Sequence, residues 1–413
     1  MRVRLKHDLW GSDEAIHLDL PERWNVSVLR MEGDDKSILK DEAYRKALAP
    51  LEAVLKGKKE ICILFDDISR ATRVYRIAPH LIELFEKCGI RDEQVRFLCA
   101  LGTHAPLDGE AFTRKLGEEV MERFPVYNHN PYENCEHLGQ THLGTPILAN
   151  KEFLSCDARI GIGSFVPHGF CGLGGGYKIV MPGIAHIDAI TYHHGSLLQQ
   201  NLAVCSPGRY SGNPLLEDVK EFGQKVRLDA KIDALINSEA EAVDISVGTP
   251  EEAYSRFADR TVAHYGTTVP WKADILFVNT FAKGNEATIG LSQASALLKD
   301  EGGYVVLLAD ISRGQVVHYL LGRFGKETWG RLGRGERVKD NNVRKVFVFS
   351  RYKDVAATYW FGKKEDVVWC RDLTEVIRIL DDEYKGRAPD VHVIPDGTIQ
   401  LANQAHGSCE VAD

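Results

Sequence analysis

The residues best suited to chemistry sit together between Ser164 and Gly195, SFVPHGFCGLGGGYKIVMPGIAHIDAITYHHG. This stretch carries His168, the glycines Gly172, Gly174, Gly175 and Gly176, the lysine Lys178, and the pair His193 and His194. Imidazoles transfer protons and bind metals near neutral pH. A glycine-rich turn lets backbone N–H groups approach an anion closely, which makes Gly174, Gly175 and Gly176 candidates for a mononucleotide phosphate. A lysine directly behind such a turn can carry a covalent link or a fixed positive charge. Together these groups point to a phosphate-bearing cofactor, with a metal as a further option, held beside a proton-transfer residue. The phosphate loop G-x-x-x-x-G-K-[ST] is not present. Counted from Gly172, Tyr177 stands where glycine is needed and Ile179 where Ser or Thr would hold magnesium.

These groups need elements to place them, and the pattern is α/β. Ile61 to Phe65 (ICILF) reads as a buried parallel strand running into Asp66 and Asp67. Apolar residues at helical spacing follow over Ile77 to Phe85. Gln94 to Ala100 reads as the next strand, with the turn Gly102-Thr103-His104 and a helix near Leu107 to Phe124 after it. Asp157 to Gly163 is a strand leading into the His168 loop. Ligands bind beyond the carboxyl ends of strands in such sheets, so the Asp66–Arg70, Gly102–His104 and Ser164–Lys178 turns are expected to converge on one rim. A boundary near His264 to Lys272 precedes a second strand-helix series. Its strands are expected at Ala273–Val278, Tyr304–Ala309, Lys345–Phe349, Val367–Cys370 and Val391–Ile394, and its helices at Asn285–Lys299, Gln315–Phe324 and Leu373–Glu383. The expected architecture is therefore two α/β domains, a larger one over 1–268 and a smaller one over 269–413, with a ligand cleft between them. The last residues, HGSCEVAD, read as a frayed tail.

Bulk properties narrow the function classes. A chain of 413 residues is too long for one small core. Its 44% hydrophobic and 27% charged residues are those of an ordinary globular protein. A net charge of −8 gives no nucleic-acid footprint. The charged N-terminus lacks the apolar core of a secretory signal, and no apolar run reaches the roughly 18 residues of a membrane span. The expected address is cytoplasmic, with neither membrane nor nucleic acid as a partner. Nine cysteines without C-x-x-C spacing suggest neither a disulfide framework nor a zinc ribbon. Cys62 and Cys99 read as core residues. Cys171, inside the glycine motif, has no sequence feature that would lower its thiol pKa.

Across residues 65 to 195 the chain resembles the nickel-pincer lactate racemase family (LarA-like). The motifs in order are D-D-x-[ST]-R at Asp66 to Arg70, G-T-H at Gly102 to His104, N-H at Asn128-His129 and L-G-x-T-x-x-G-T-P at Leu138 to Pro146. They continue with P-H at Pro167-His168, G-G-x-K at Gly175 to Lys178, P-G-I-A at Pro182 to Ala185 and His193-His194-Gly195. The resemblance implies a nickel-pincer nucleotide, a nickel pyridinium-3,5-bisthiocarboxylic acid mononucleotide type of cofactor. It implies a covalent link at Lys178, nickel ligation by His194, acid/base catalysis by His104 and His168, and carboxylate binding by Arg70, with Asp67 beside it in the cofactor site. It also implies a small 2-hydroxy acid as substrate and cofactor-synthesis enzymes as partners. Racemisation would then proceed by hydride transfer through a flat 2-keto acid, which avoids a carbanion at a weakly acidic carbon.

Alternatives remain for several residues. His193 is a poorer nickel candidate than His194, which has the family spacing from Lys178. His129, His137 and His142 read as loop residues rather than a metal pair, and Asp66 ranks below Asp67. The family's Tyr-Gln with a Lys three residues after the Gln is missing from NTFAKGNEATIGLSQA, Asn279 to Ala294. Lys283 is the substitute substrate-binding charge there, with Asn285 and Glu286 as added polar groups, which suits an acid more hydroxylated than lactate. The competing readings are a zinc-type hydrolase using His104, His168 and His194, and a non-catalytic cofactor- or ligand-binding protein. The second has no need of two proton-transfer histidines.

Overall fold

Strands buried on both faces of a sheet read as unbroken apolar runs, and such runs build both large sheets of this protein. The computed structural model describes residues 1–320 and 337–404. The chain packs as two compact units. One comprises residues 35–263 and the described part of 316–334; the other comprises residues 1–34, 264–315 and the described part of 335–413. The division near residue 263 lies close to the boundary read from sequence. It is not a single cut after residue 268, because the first 34 residues join the C-terminal unit and the segment from Val316 joins the other.

The strands of the two six-stranded sheets are, in chain order, β1 (Asn25–Val28), β2 (Ile61–Phe65), β3 (Val95–Cys99), β4 (Val126–Asn128), β5 (Ala158–Ser164) and β6 (Ala230–Ile236). They continue as β7 (Ala242–Gly248), β8 (Ile275–Asn279), β9 (Gly303–Leu308), β10 (Val343–Phe349), β11 (Val367–Cys370) and β12 (Asp390–Ile394). The 35–263 unit has the order β7-β6-β5-β2-β3-β4, parallel except for the antiparallel β6–β7 pair. All five residues of β2 are buried. The helix Val74–Lys87 lays Ile77, Leu81 and Phe85, one face at spacings of four, into the same core as Ile63 and Phe97. The helix expected over 107–124 is two, Gly109–Leu116 and Glu118–Arg123, broken at Gly117 with φ of +90°. β5, β2 and β3 are neighbours and parallel, so the turns after them leave from one edge of the sheet.

The other unit has the order β11-β10-β9-β8-β12-β1, all parallel. Its side chains alternate between two cores. Ile275 and Phe277 join Leu5, Leu18 and Leu380 on one face, while Leu276 and Val278 join Leu291 and Leu297 on the other. Its helix Leu373–Glu383 has the expected bounds. The helix expected over Asn285–Lys299 is a 3-10 turn, Gly284–Leu291, followed by a short helix, Ala294–Leu297; Glu286 departs from helical geometry within the first of them. No helix forms over 315–320, where the chain instead runs extended along the His104 turn. The rest of the helix expected over Gln315–Phe324 lies outside the described residues, as does the HGSCEVAD tail with Cys409. Among the described residues no helix is long and apolar enough to cross a membrane.

Candidate active site

The turn after β2 is held by a lysine that carries no motif. Lys115, fully buried on the helix Gly109–Leu116, pairs with Asp66 Oδ1 at 2.7 Å and donates to the carbonyls of Asp67 and Arg70 at 3.0 and 2.9 Å. Thr72 Oγ1 donates to the other Asp66 oxygen at 2.5 Å. Asp66 thus anchors the turn and leaves Asp67 to face the site. One Asp67 oxygen accepts from the Ser69 backbone N–H at 2.6 Å, and the other meets His104 Nδ1 at 2.7 Å. Burial alone would raise the Asp67 carboxyl. The charge and hydrogen bond of His104, the Arg70 charge and the Ser69 contact prevail and hold it well below the ordinary carboxylate value. An ionised carboxylate only accepts, so His104 donates from Nδ1 in either state, and its neutral form, the one that can act as a base, carries its lone pair at Nε2.

Arg70 Nη1 donates to Ser69 Oγ at 2.7 Å and to the Ser69 carbonyl at 3.0 Å, which keeps the guanidinium on this rim. A residue absent from the motif reading joins it. His318 packs edge-to-face on His104 with ring centroids 5.1 Å apart, and Thr103 Oγ1 lies 3.3 Å from His318 Nδ1. Backbone bonds from Ala105 N–H to Val317 O (3.1 Å) and from Tyr319 N–H to Thr103 O (2.9 Å) hold that segment on the turn. Nothing local in VVHY predicts this, because the contact crosses more than two hundred residues.

His168 lies on a small hairpin after β5, with Pro167 opposite Leu173 and His168 opposite Gly172. Its Nδ1 accepts from the backbone N–H groups of Phe170 and Cys171 at 3.1 and 3.2 Å. The neutral ring therefore carries its proton at Nε2, opposite to His104. The Phe170 ring stands between two of the candidate histidines, with its centroid 5.8 Å from that of His168 and 5.4 Å from that of His194.

The glycine turn works differently from a phosphate cradle. Gly174 N–H donates to Val166 O at 2.7 Å, and Gly176 N–H to the Asp233 carboxylate at 2.8 Å. Asp233 is itself paired with the buried Lys231 at 2.5 Å. At Gly175, with φ of +84°, a Cβ would lie 2.1 Å from the Phe165 ring. The glycines at 174 to 176 are accounted for by close packing and internal hydrogen bonds, and two of the three amides are directed into the protein. They place Lys178, on the 3-10 turn Gly176–Ile179, beside Cys171 and within electrostatic reach of Arg70. Desolvation lowers the Lys178 ammonium; Cys171 opposes this and the Arg70 charge adds to it. Burial raises the Cys171 thiol, with Lys178 opposing, so the cysteine is not an activated nucleophile.

His193 and His194 open a π-helical turn, His193–Leu197, directly after the helix Ile187–Tyr192; such turns cluster at functional sites. Both are buried, and their Nδ1 atoms lie 3.1 Å apart. His129 is a core histidine bonded at Nε2 to Ala185 O (3.0 Å) and at Nδ1 to the Asn150 amide (3.1 Å). In the other unit, Lys283 follows β8 and is buried. Asp396 there has its carboxyl raised to about 6 by burial, with Thr398, the Ala282 N–H and the Lys283 charge opposing. Asn285 Oδ1 is buried without a hydrogen-bond partner among the described residues. Glu286 is half-buried.

Histidines, an arginine and a desolvated lysine thus share a rim at the carboxyl edge of a parallel sheet, a common place for a small-molecule site. The family model for the lactate racemase N-terminal domain matches residues 11–205. The lactate racemase of Thermoanaerobacterium thermosaccharolyticum is 24% identical over 424 residues, covering 94% of this chain and 96% of that protein. That of Lactiplantibacillus plantarum is 25% identical over 272 residues, covering 64% and 63%. Among solved structures, the lactate racemase apoprotein from Thermoanaerobacterium thermosaccharolyticum matches with a TM-score of 0.74 at 21% identity, over 98% of this chain and 100% of that one. A Thermotoga maritima protein matches with a TM-score of 0.67 at 18% identity, over 91% and 100%. The chain is thus similar to lactate racemases in sequence, and it shares their fold.

Proposed function

We propose that this protein is a racemase or C2-epimerase of a 2-hydroxy acid, working with a nickel-pincer nucleotide. The observation that carries the reading is the opposite proton placement on two histidines from strands flanking β2. His104 presents a lone pair at Nε2, and His168 a proton at Nε2. One is set to take the hydroxyl proton of a bound 2-hydroxy acid, the other to return a proton to the same oxygen from its second orientation. Arg70 binds the substrate carboxylate bidentately.

The chain's own residues fit the proposed cofactor. A lysine whose ammonium is lowered by desolvation is a competent nucleophile for a covalent link. His194 suits nickel as an imidazole donor. Among the described residues no group of three or more His, Cys, Asp or Glu side chains forms a metal cage. A hydrolytic zinc site needs three protein ligands, whereas a pincer brings donors of its own, so the residues favour the pincer over the zinc-hydrolase reading. When bound, the cofactor would supply an electrophilic carbon to accept and return the C2 hydride. Enzymes that make it would be partners of this chain. Lys283 enters the proposal as a substrate-binding charge, and the unpartnered Asn285 oxygen as a reason to expect a further hydroxyl on the acid.

The test is a panel of enantiopure, C2-deuterated 2-hydroxy acids, from lactate to sugar acids, given to protein co-produced with cofactor-making enzymes. Inversion with deuterium retained at C2 is expected. Inversion with the label lost to water would overturn hydride transfer, and no inversion of any acid would overturn the racemase reading.

A further inference from the structure

His193 is fully buried, and both of its ring nitrogens have partners that dictate where its proton lies. Nε2 is 3.0 Å from the Leu215 carbonyl, which can only accept, so Nε2 carries the proton. The Asp218 carboxylate, 3.9 Å from the same nitrogen, reinforces that placement. Asp218 is held by Thr141 Oγ1 at 2.5 Å and Thr145 Oγ1 at 2.6 Å, the two threonines of L-G-x-T-x-x-G-T-P. The ring is fully buried and its Nε2 hydrogen bond is to a neutral carbonyl, with no carboxylate in hydrogen-bond contact, so the neutral form is the one this environment holds. A neutral ring protonated at Nε2 bears a lone pair at Nδ1. Among the described residues, the group it meets there is His194 Nδ1, at 3.1 Å. His194 must therefore donate from Nδ1 and carry its own lone pair at Nε2.

We infer that His193 is a positioning residue that, backed by the Leu215 carbonyl and the Thr141–Thr145–Asp218 group, fixes His194 as the Nδ1–H tautomer with Nε2 as its metal-donor atom. The inference rests on the reading of His194 as the nickel ligand. Metal-binding histidines are commonly oriented by an acceptor on their second nitrogen, and losing that acceptor typically costs 10–100-fold in metal affinity. Here the acceptor is a neighbouring imidazole on the same π-helical turn. His193 cannot itself ligate the metal, because Leu215 takes one nitrogen and His194 the other.

Long-range 1H–15N spectra of the full chain labelled with 15N-histidine read the tautomers with no metal present. Wild type should show His194 protonated at Nδ1 and His193 at Nε2; a His194 protonated at Nε2 would overturn the inference without any variant. His193→Phe keeps the ring volume but removes the acceptor, and His193→Asn puts Oδ1 near the place of Nδ1. Nickel retention of cofactor-loaded protein against a chelator should fall 10–100-fold in His193→Phe and be largely restored in His193→Asn. If His194→Ala loses nickel while His193→Phe keeps it, the relay is wrong and the ligand stands. If His194→Ala keeps nickel as wild type does, the ligand assignment itself falls.

Discussion

Replacing Asp67 by Asn changes few atoms yet should disable the base proposed at His104. Asp67 uses its two oxygens as two acceptors, one for the Ser69 backbone N–H at 2.6 Å and one for His104 at 2.7 Å. A carboxamide has one acceptor oxygen. The Ser69 N–H cannot reverse its role, so the amide oxygen settles there and the NH2 faces His104 Nδ1. The imidazole must then accept at Nδ1 and hold its proton at Nε2, where the substrate hydroxyl needs a lone pair. A general base typically contributes about 10²–10⁴-fold, so kcat should fall by about 10² or more, about 2.7 kcal/mol at about 1.36 kcal/mol per decade. The opposite amide orientation would set two donors against each other inside the protein, at about 1–3 kcal/mol of stability. The assay is chiral chromatography of product from each enantiomer with cofactor-loaded enzyme. Racemisation has an equilibrium constant of one, so kcat/KM must fall equally in both directions, while nickel content stays at the wild-type level. A folded, nickel-loaded Asp67→Asn enzyme within twofold of wild type would refute the reasoning.

Lys178→Ala should abolish the added mass on the peptide containing residue 178; an unchanged adduct seen by mass spectrometry would rule out that linkage. His168→Ala should lose activity by about 10²–10⁴-fold with nickel retained, and loss of nickel with activity kept would reverse its role. The buried His129 is depressed to about 4, chiefly by burial, against about 6.5 for a free imidazole. The unfolded chain therefore binds the extra proton in that window. The stability His129 contributes is full above pH about 6.5 and declines as pH falls toward 4, by up to about 1.4 kcal/mol per pH unit. Urea titrations of wild type and His129→Asn between pH 7 and 4 measure this, and identical pH slopes in the two proteins would contradict it.

Features whose signal is local were readable in the sequence. The run ICILF has one physical interpretation, a strand buried on both faces, and the turns after β2, β3 and β5 meet on one rim because parallel neighbours share a carboxyl edge. The charge-bearing supports were not readable. Lys115 and the Lys231–Asp233 pair look like solvated surface residues until burial and partners are known, and His318 reaches His104 only through tertiary folding. The glycines misled in an informative way. A run such as Gly174–Gly176 is compatible both with amides turned to an anion and with amides turned inward, and only their partners, Val166 O and the Asp233 carboxylate, distinguish the two. The helix expected from Gln315 failed over 315–320 because backbone bonds to the His104 turn outweigh helical propensity there.

The pairing of β1 with β12 sets a schedule for the nascent chain. Asn25 lies opposite Asp390 in a parallel ladder, so the first strand of that sheet is made long before its neighbour exists. Residues 35–263 leave the ribosome in the interval and have most of their own contacts available. At about 5–20 residues per second of synthesis, Asn25 waits for Asp390 for roughly 20–70 s. Until Ile275, Phe277 and the strands after them emerge, the hairpin of Arg2–Asp8 and Ser12–Asp19, with apolar Leu5, Ile16 and Leu18 on one side, lacks the sheet that covers it. A stalled chain ending before residue 275 should therefore resist protease across 35–263 while remaining cleavable in its first 34 residues. The unit carrying the candidate site would be formed first, with the opening segment left as a client for holding chaperones until the strands that cover it are made.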